Sequence, residues 1–192
     1  MLCGTRPTTT SGESVFFRLL LPILATLAML TATAPSASAA PAIPDSFTIR
    51  PKAATSLCVK APAHPASGSG EANGSVVLLE FCGSSWMPTT KTWTANRVSG
   101  TTDLYRIRRQ WTNLCLEIGG WANHDAATAL TWTCHSGANQ TWRLRWDGGG
   151  WWEFRNEASL RCLDVRVHRA WTSLNQWGCH GGGEQQWVLI AA

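Results

Sequence analysis

The residues of this chain that could do chemistry are few in kind: twelve Asp and Glu, five His, seven Cys and twelve Trp. Catalysis by side chains needs paired carboxylates, a nucleophile beside a base, or a metal. Here the carboxylates fall mostly in stretches that read as strands or turns, and no motif recurs around any pair of them. Neither G-x-S-x-G nor H-E-x-x-H occurs, and there is no Gly-rich phosphate loop. His64, His124, His135, His168 and His180 sit in loops or directly after a cysteine, where solvated surface histidines are expected. No C-x2-C or H-x3-H spacing suits zinc. We therefore expect no catalytic residue, no metal and no cofactor. What remains is a set of rings, carboxylates and amides, which is what a neutral sugar calls for. A sugar presents a C–H face to a flat aromatic and its hydroxyls to a carboxylate and amides placed to one side.

Those residues recur in register. Cys162 to Trp187 reads CLDVRVHRAWTSLNQWGCHGGGEQQW, and Cys115 to Trp142 reads CLEIGGWANHDAATALTWTCHSGANQTW. A blurred copy runs from Cys58 through Cys82 to Lys91-Thr92-Trp93. Each copy holds two cysteines, so Cys58–Cys82, Cys115–Cys134 and Cys162–Cys179 is the simplest of the 15 pairings that six cysteines allow. The seventh, Cys3, lies in a leader expected over residues 1–40. There Arg6 and Arg18 flank or precede the apolar run from Leu19 to Leu30, and Ala37-Ser38-Ala39 fits a secretory cleavage site. That apolar run contains Pro22 and is well short of the roughly 20 residues that span a bilayer. A secreted, extracellular protein with no membrane insertion is therefore expected. The net charge is +4, or +3 without the leader, and the basic residues are scattered. Nothing in that balance suggests a nucleic-acid partner.

The elements that must position these groups read as strands. Runs rich in Val, Leu, Ile, Trp, Phe and Thr alternate with Gly, Ser, Asn and Pro clusters, and no window has helical periodicity. Twelve strands are predicted: 46–50, 57–61, 76–82, 91–98, 104–110, 114–118, 129–134, 141–147, 151–157, 161–166, 174–179 and 186–190. That is four per unit, with repeats at about 45–99, 100–148 and 149–190 in one domain over 45–190. A propeller usually needs about four to eight blades. Three four-stranded units that must hide their edges point instead to closure about a threefold axis.

The pattern C-L-D-V … W-x-C … Q-x-W, three times over, resembles the ricin B-type lectin family. The resemblance implies an all-β fold, a β-trefoil of three four-stranded repeats with pseudo-threefold symmetry, built as a six-stranded barrel capped by three hairpins. Trp93, Trp142 and Trp187 then become core anchors, one per lobe. The resemblance also implies a non-enzymatic carbohydrate-binding protein. In that family each lobe supplies an Asp after C-x, a polar residue and an aromatic before the second Cys, and an Asn-Gln pair whose Gln steadies the carboxylate. Carried onto the third repeat these are Asp164, Asn175, Trp177 and Gln185, with His180 close by and Glu184 where Asn is usual. In the second they are Trp132, Asn139 and Gln140, with Glu117 in place of Asp and Leu130 in place of the polar residue. The extra methylene of Glu117 is expected to push its carboxylate outward. In the first, Lys60, Glu80, Thr90 and Lys91 replace the set, so at most two sites are expected. Trp121 and Trp171 are placed beside the second and third sites, either extending a sugar-facing platform or covering the barrel. The expected partner is a carbohydrate, a galactose-type sugar or a polysaccharide, with a separate protein chain as a further partner. The competing reading is a degenerate trefoil that binds protein, as a toxin subunit or inhibitor does.

Overall fold

The computed structural model describes residues 39–62, 73–84 and 88–192. Almost all of the expected leader, and His64, lie outside the described residues. Residues 37–192 form one compact unit. Among the described residues no helix is long and apolar enough to cross a membrane.

Each predicted strand falls on an observed one. The first repeat has β1 (Phe47–Pro51), β2 (Leu57–Lys60), β3 (Ser75–Val76), β4 (Leu78–Phe81) and β5 (Trp93–Arg97). The second has β6 (Leu104–Arg109), β7 (Leu114–Ile118), β8 (Ala129–Thr133) and β9 (Trp142–Trp146). The third has β10 (Trp152–Asn156), β11 (Cys162–Asp164), β12 (Asn175–Trp177) and β13 (Trp187–Ala191). Alternation decides which face goes inward: in β1 and β10 every second residue is buried, beginning with Phe47 and Trp152.

Six strands close a ring through antiparallel pairs: β1 with β5, β5 with β6, β6 with β9, β9 with β10, β10 with β13, and β13 back to β1. Closure leaves the barrel no free edge. Six of the remaining strands form three hairpins, β2–β4, β7–β8 and β11–β12, and the short β3 adds to β8. This is a β-trefoil.

The pseudo-threefold axis is visible in the backbone. Val77 N–H donates to Ala129 O at 3.0 Å, Ala129 N–H to Leu174 O at 3.0 Å, and Leu174 N–H to Val77 O at 2.8 Å. All three residues are fully buried, so this closed triangle satisfies polar groups that water cannot reach. It also explains the one departure from the predicted strands. The run over 76–82 is split at Val77, because Val77 bonds to the other two repeats. On one side of it β3 pairs with β8, and on the other β4 pairs with β2.

Trp93, Trp142 and Trp187 are the largest fully buried side chains. Each lies opposite an aromatic of its own repeat's first strand: Phe47, Tyr105 and Trp152 respectively. Each indole N–H also donates to a hairpin carbonyl: Val59 O at 3.0 Å, Leu116 O at 2.9 Å and Leu163 O at 3.2 Å. One side chain per lobe thus ties barrel to cap. The disulfides are Cys58–Cys82, Cys115–Cys134 and Cys162–Cys179, each joining the first strand of a cap hairpin to the end of the second.

Candidate binding sites

In the third repeat β11 and β12 set Asp164 opposite Asn175 and Cys162 opposite Trp177. Directly opposed residues share a face, so Asp164 and Trp177 point to the same side while Gln176 points away and is buried. The 3-10 turn Gly183–Gln185 then brings Gln185 beneath the carboxylate. Its Nε2 donates to Asp164 Oδ2 at 3.1 Å and to Gly178 O at 3.0 Å, and its Oε1 accepts the His180 N–H at 2.9 Å. The amide is fully used and fully buried, so the carboxylate is held before any ligand arrives. Asp164 Oδ1 accepts no hydrogen bond among the described residues. The hollow above it, about 300 Å³, is lined by Asp164, Arg166, Trp177, His180 and Glu184. Asn175 does not line it. Although opposite Asp164, that residue also bridges to Thr128 of the second repeat, and its Oδ1 is buried without a partner among the described residues.

The second repeat reproduces this frame. Gln140 Nε2 donates to Glu117 Oε2 at 2.8 Å and to Thr133 O at 3.0 Å, and Gln140 Oε1 accepts the His135 N–H at 2.9 Å. The longer Glu117 is 5% exposed, and despite its extra methylene its carboxylate still meets the glutamine at the corresponding position. A hollow of about 280 Å³ is lined by Glu117, Gly120, Trp121, Trp132, His135 and Asn139. Asn139 is buried, and its Oδ1 is unpartnered among the described residues.

Sequence reasoning missed His135. His135 Nε2 lies 3.5 Å from Glu117 Oε2, and His180 Nε2 lies 3.6 Å from Asp164 Oδ2. Gly137 and Gly182 donate their N–H to the Nδ1 of these rings, each at 3.0 Å. A neutral ring that accepts at Nδ1 carries its proton on Nε2, facing the carboxylate. The signal was present: a histidine directly follows the second cysteine in both repeats. Both glycines are needed for close approach. A Cβ on Gly137 would stand 2.6 Å from the His135 ring, and one on Gly182 would stand 2.7 Å from His180 Nδ1.

The first repeat is closed by charge. Lys60, at the carboxylate's position, pairs with Glu80, at the aromatic's position. Lys91, in place of the glutamine, donates to Phe81 O at 2.9 Å and Ser84 O at 3.0 Å. Burial alone would raise the Glu80 carboxyl, but bonds from Lys60 and Ser84 and the charge of Lys91 bring it below its ordinary value. Burial lowers Lys91. A buried pair of this kind fills the space that a ligand needs.

Each hairpin is also edged by the repeat before it. Asn73 Oδ1 accepts the Thr133 N–H at 2.6 Å, and Asp125 Oδ1 accepts the Gly178 N–H at 2.8 Å. The next residue in each loop is left-handed, Gly74 at φ 83° and Ala126 at φ 65°. In the third repeat the corresponding residue is Trp171, at φ 70°. It bonds to Leu79 O across the axis, and Lys60 Nζ sits 5.4 Å from its ring. Trp171 therefore stands over the first lobe and not beside the third, because this loop crosses to the neighbouring repeat. Trp121 stays with its own lobe, stacked on His135 with ring centroids 6.5 Å apart.

The electrostatics of the third site set a pH dependence. Burial, chiefly, and the like charge of Glu184 raise the Asp164 carboxyl above its ordinary value, against the Gln185 bond and the charges of His180 and Arg166. Sugar binding in this lobe is expected to be full at neutral pH. It should fade as acidification passes through this raised pKa, beginning above the range of an ordinary aspartate. Affinity measured against pH checks this, and binding unchanged down to about pH 4 contradicts it. For folding the sign is opposite: the ionised Asp164 costs the folded state stability at neutral pH, a cost relieved as pH falls through that pKa.

The ricin-type beta-trefoil lectin domain family matches residues 103–191. Over these residues the chain is similar to a ricin-type lectin domain. The match spans the second and third repeats and leaves out the first, the one closed by Lys60 and Glu80. No curated protein matches the chain in sequence. Among solved structures, the designed threefold-symmetric protein ThreeFoil superposes with a TM-score of 0.65 at 20% identity, covering 77% of this chain and 99% of ThreeFoil. A Polyporus squamosus lectin, bound to the epitope Neu5Aca2-6Galb1-4GlcNAc, gives 0.63 at 14% identity, covering 78% of this chain and 50% of that one. The Haemophilus ducreyi cytolethal distending toxin gives 0.60 at 15% identity, covering 85% and 94%. At these identities the likeness is one of fold. The trefoil spans only half of the Polyporus lectin chain.

Among the described residues one group, Glu153 with Cys162 and Cys179, brings potential metal ligands within 4.8 Å of one another. Both thiols are committed to a disulfide.

Proposed function

We propose that the protein is a secreted, non-enzymatic lectin that binds carbohydrate through its second and third lobes. One observation carries this reading. In both lobes a buried glutamine hands its N–H to one oxygen of a buried carboxylate, and among the described residues the second oxygen accepts no hydrogen bond at the floor of a tryptophan-edged hollow. Such an oxygen accepts charge-assisted bonds from sugar hydroxyls. Trp132 and Trp177 offer the C–H side of the ring a flat face. Because the glutamine fixes the acceptor in advance, little rotamer freedom is lost on binding.

Few contacts on an open surface imply an affinity of order millimolar for one sugar unit, about −4 kcal/mol. Two sites on one chain raise the effective affinity for a polymer or cell surface well above that. A glycan array probed with the protein identifies the sugar, and calorimetric titration with the best hit is expected to give no more than two sites per chain. Three equivalent sites contradict the account. Three disulfides suit an oxidising, extracellular setting.

A second reading has its own support. The closed first lobe carries Phe81 and Trp171 in the open, 58% and 66% exposed, and rings of this kind anchor protein interfaces. On that reading the trefoil docks on another protein chain, as a toxin subunit or inhibitor does. An array with no binder, together with capture of one defined partner that Phe81→Ala and Trp171→Ala abolish, favours it.

A further inference from the structure

The third lobe differs from the second in the charges around its tryptophan. The second hollow is edged by Asn139, an amide, whereas the third is edged by Glu184, a carboxylate. Asn139 Nδ2 donates to Ile118 O at 3.4 Å and keeps a second N–H for a sugar oxygen, whereas a carboxylate only accepts. Whatever ligand atom faces Glu184 must therefore donate. A cation also already lies on the ring: Arg166 Cζ is 5.0 Å from the Trp177 centroid. Arg166 is exposed and makes no ion pair among the described residues, so the face of Trp177 and the nearby carboxylates hold it there. Beneath it lies Asp164, 2% exposed, with Oδ1 unpartnered among the described residues.

We propose that the third lobe takes a sugar bearing a protonated amino group, which displaces Arg166 from Trp177 and donates to Asp164 Oδ1 with Glu184 alongside. The proposal rests on the sugar-binding reading and narrows it for this lobe alone. An ammonium has three donors and no acceptor, matching two carboxylates that offer only acceptors. The ring face that now holds a guanidinium suits the same charge. A sugar acid would instead set its own carboxylate against Asp164 and Glu184, with Arg166 and His180 in its favour. The second lobe, with Asn139, Trp121 and Trp132 and no Lys or Arg on its rings among the described residues, keeps the chemistry of a neutral sugar.

The test is calorimetric titration of the full chain with glucosamine and galactosamine, their N-acetyl forms, and glucuronic acid. The variants are Asp164→Asn, Glu184→Asn and Arg166→Ala, with melting temperatures to confirm folding. One free amine should bind about tenfold more tightly than its N-acetyl form, in an Asp164-dependent way. Glu184→Asn should erase that preference, and Arg166→Ala should strengthen amine binding by vacating the ring. Asp164-dependent binding in which an N-acetyl sugar or glucuronic acid equals or exceeds the amine overturns the proposal and leaves the sugar reading standing. If no sugar binds, or if neither Asp164→Asn nor Glu117→Gln changes any titration, both fall.

Discussion

Reduced in all three disulfides, the protein is expected to unfold at or near room temperature. The bridges enclose separations of 24, 19 and 17 residues. Loops of that size contribute about 3 kcal/mol each in the chain-entropy account, roughly 9 kcal/mol together. A domain of this size has only about 5–15 kcal/mol in hand. The bridges also span segments with little other support, since β11 and β12 are three residues each and β3 is two. Half of each bridge is shielded: Cys58, Cys115 and Cys162 are buried. Reduction therefore needs a strong reductant with mild denaturant to open the hairpins. Thermal melts with and without such treatment, followed by thiol counting, check the expectation. An unchanged melting temperature in fully reduced protein contradicts it.

Truncation of a barrel-to-cap tryptophan has the next largest effect. Trp142→Ala leaves a void where a fully buried ring stood, and large-to-small changes of this kind cost about 3–5 kcal/mol. It also strips Leu116 O of the indole N–H that now meets it at 2.9 Å, and an unpaired buried carbonyl carries its own penalty. The upper end of the range is therefore expected, a fall in melting temperature of about 10–15 °C. Trp111→Ala is the control, because that ring is 79% exposed and should cost little. Equal losses for the two variants would remove the case for the symmetric tryptophans as anchors.

The fold was legible because the chain states it three times. Paired cysteines and a closing Gln-x-Trp in the second and third repeats mark the units even where the first is blurred. The split at Val77 was not legible, because its cause is hydrogen bonding to two other repeats and not anything in the local residues. The glutamine-held carboxylates were legible through the family resemblance. The contact that Glu117 keeps with Gln140 was not, since side-chain length alone suggests displacement. The sequence presents His135 as solvated, and its side chain is 40% exposed, yet one nitrogen faces the carboxylate. The cross-axis loops left the faintest trace. Of the three left-handed positions only Gly74 is a glycine, so nothing marked Trp171 as a neighbour of the first lobe.

The central claim is that Glu117 and Asp164 are the sugar acceptors, and the most direct measurement removes them in turn. The best array ligand is titrated into wild type, Asp164→Asn, Glu117→Gln and the double variant, with melting temperatures confirming that each is folded. The account predicts that each single change eliminates one lobe's binding, with the smaller loss for Glu117→Gln, and that the double variant binds nothing. A folded double variant that holds the ligand as tightly as wild type would contradict it.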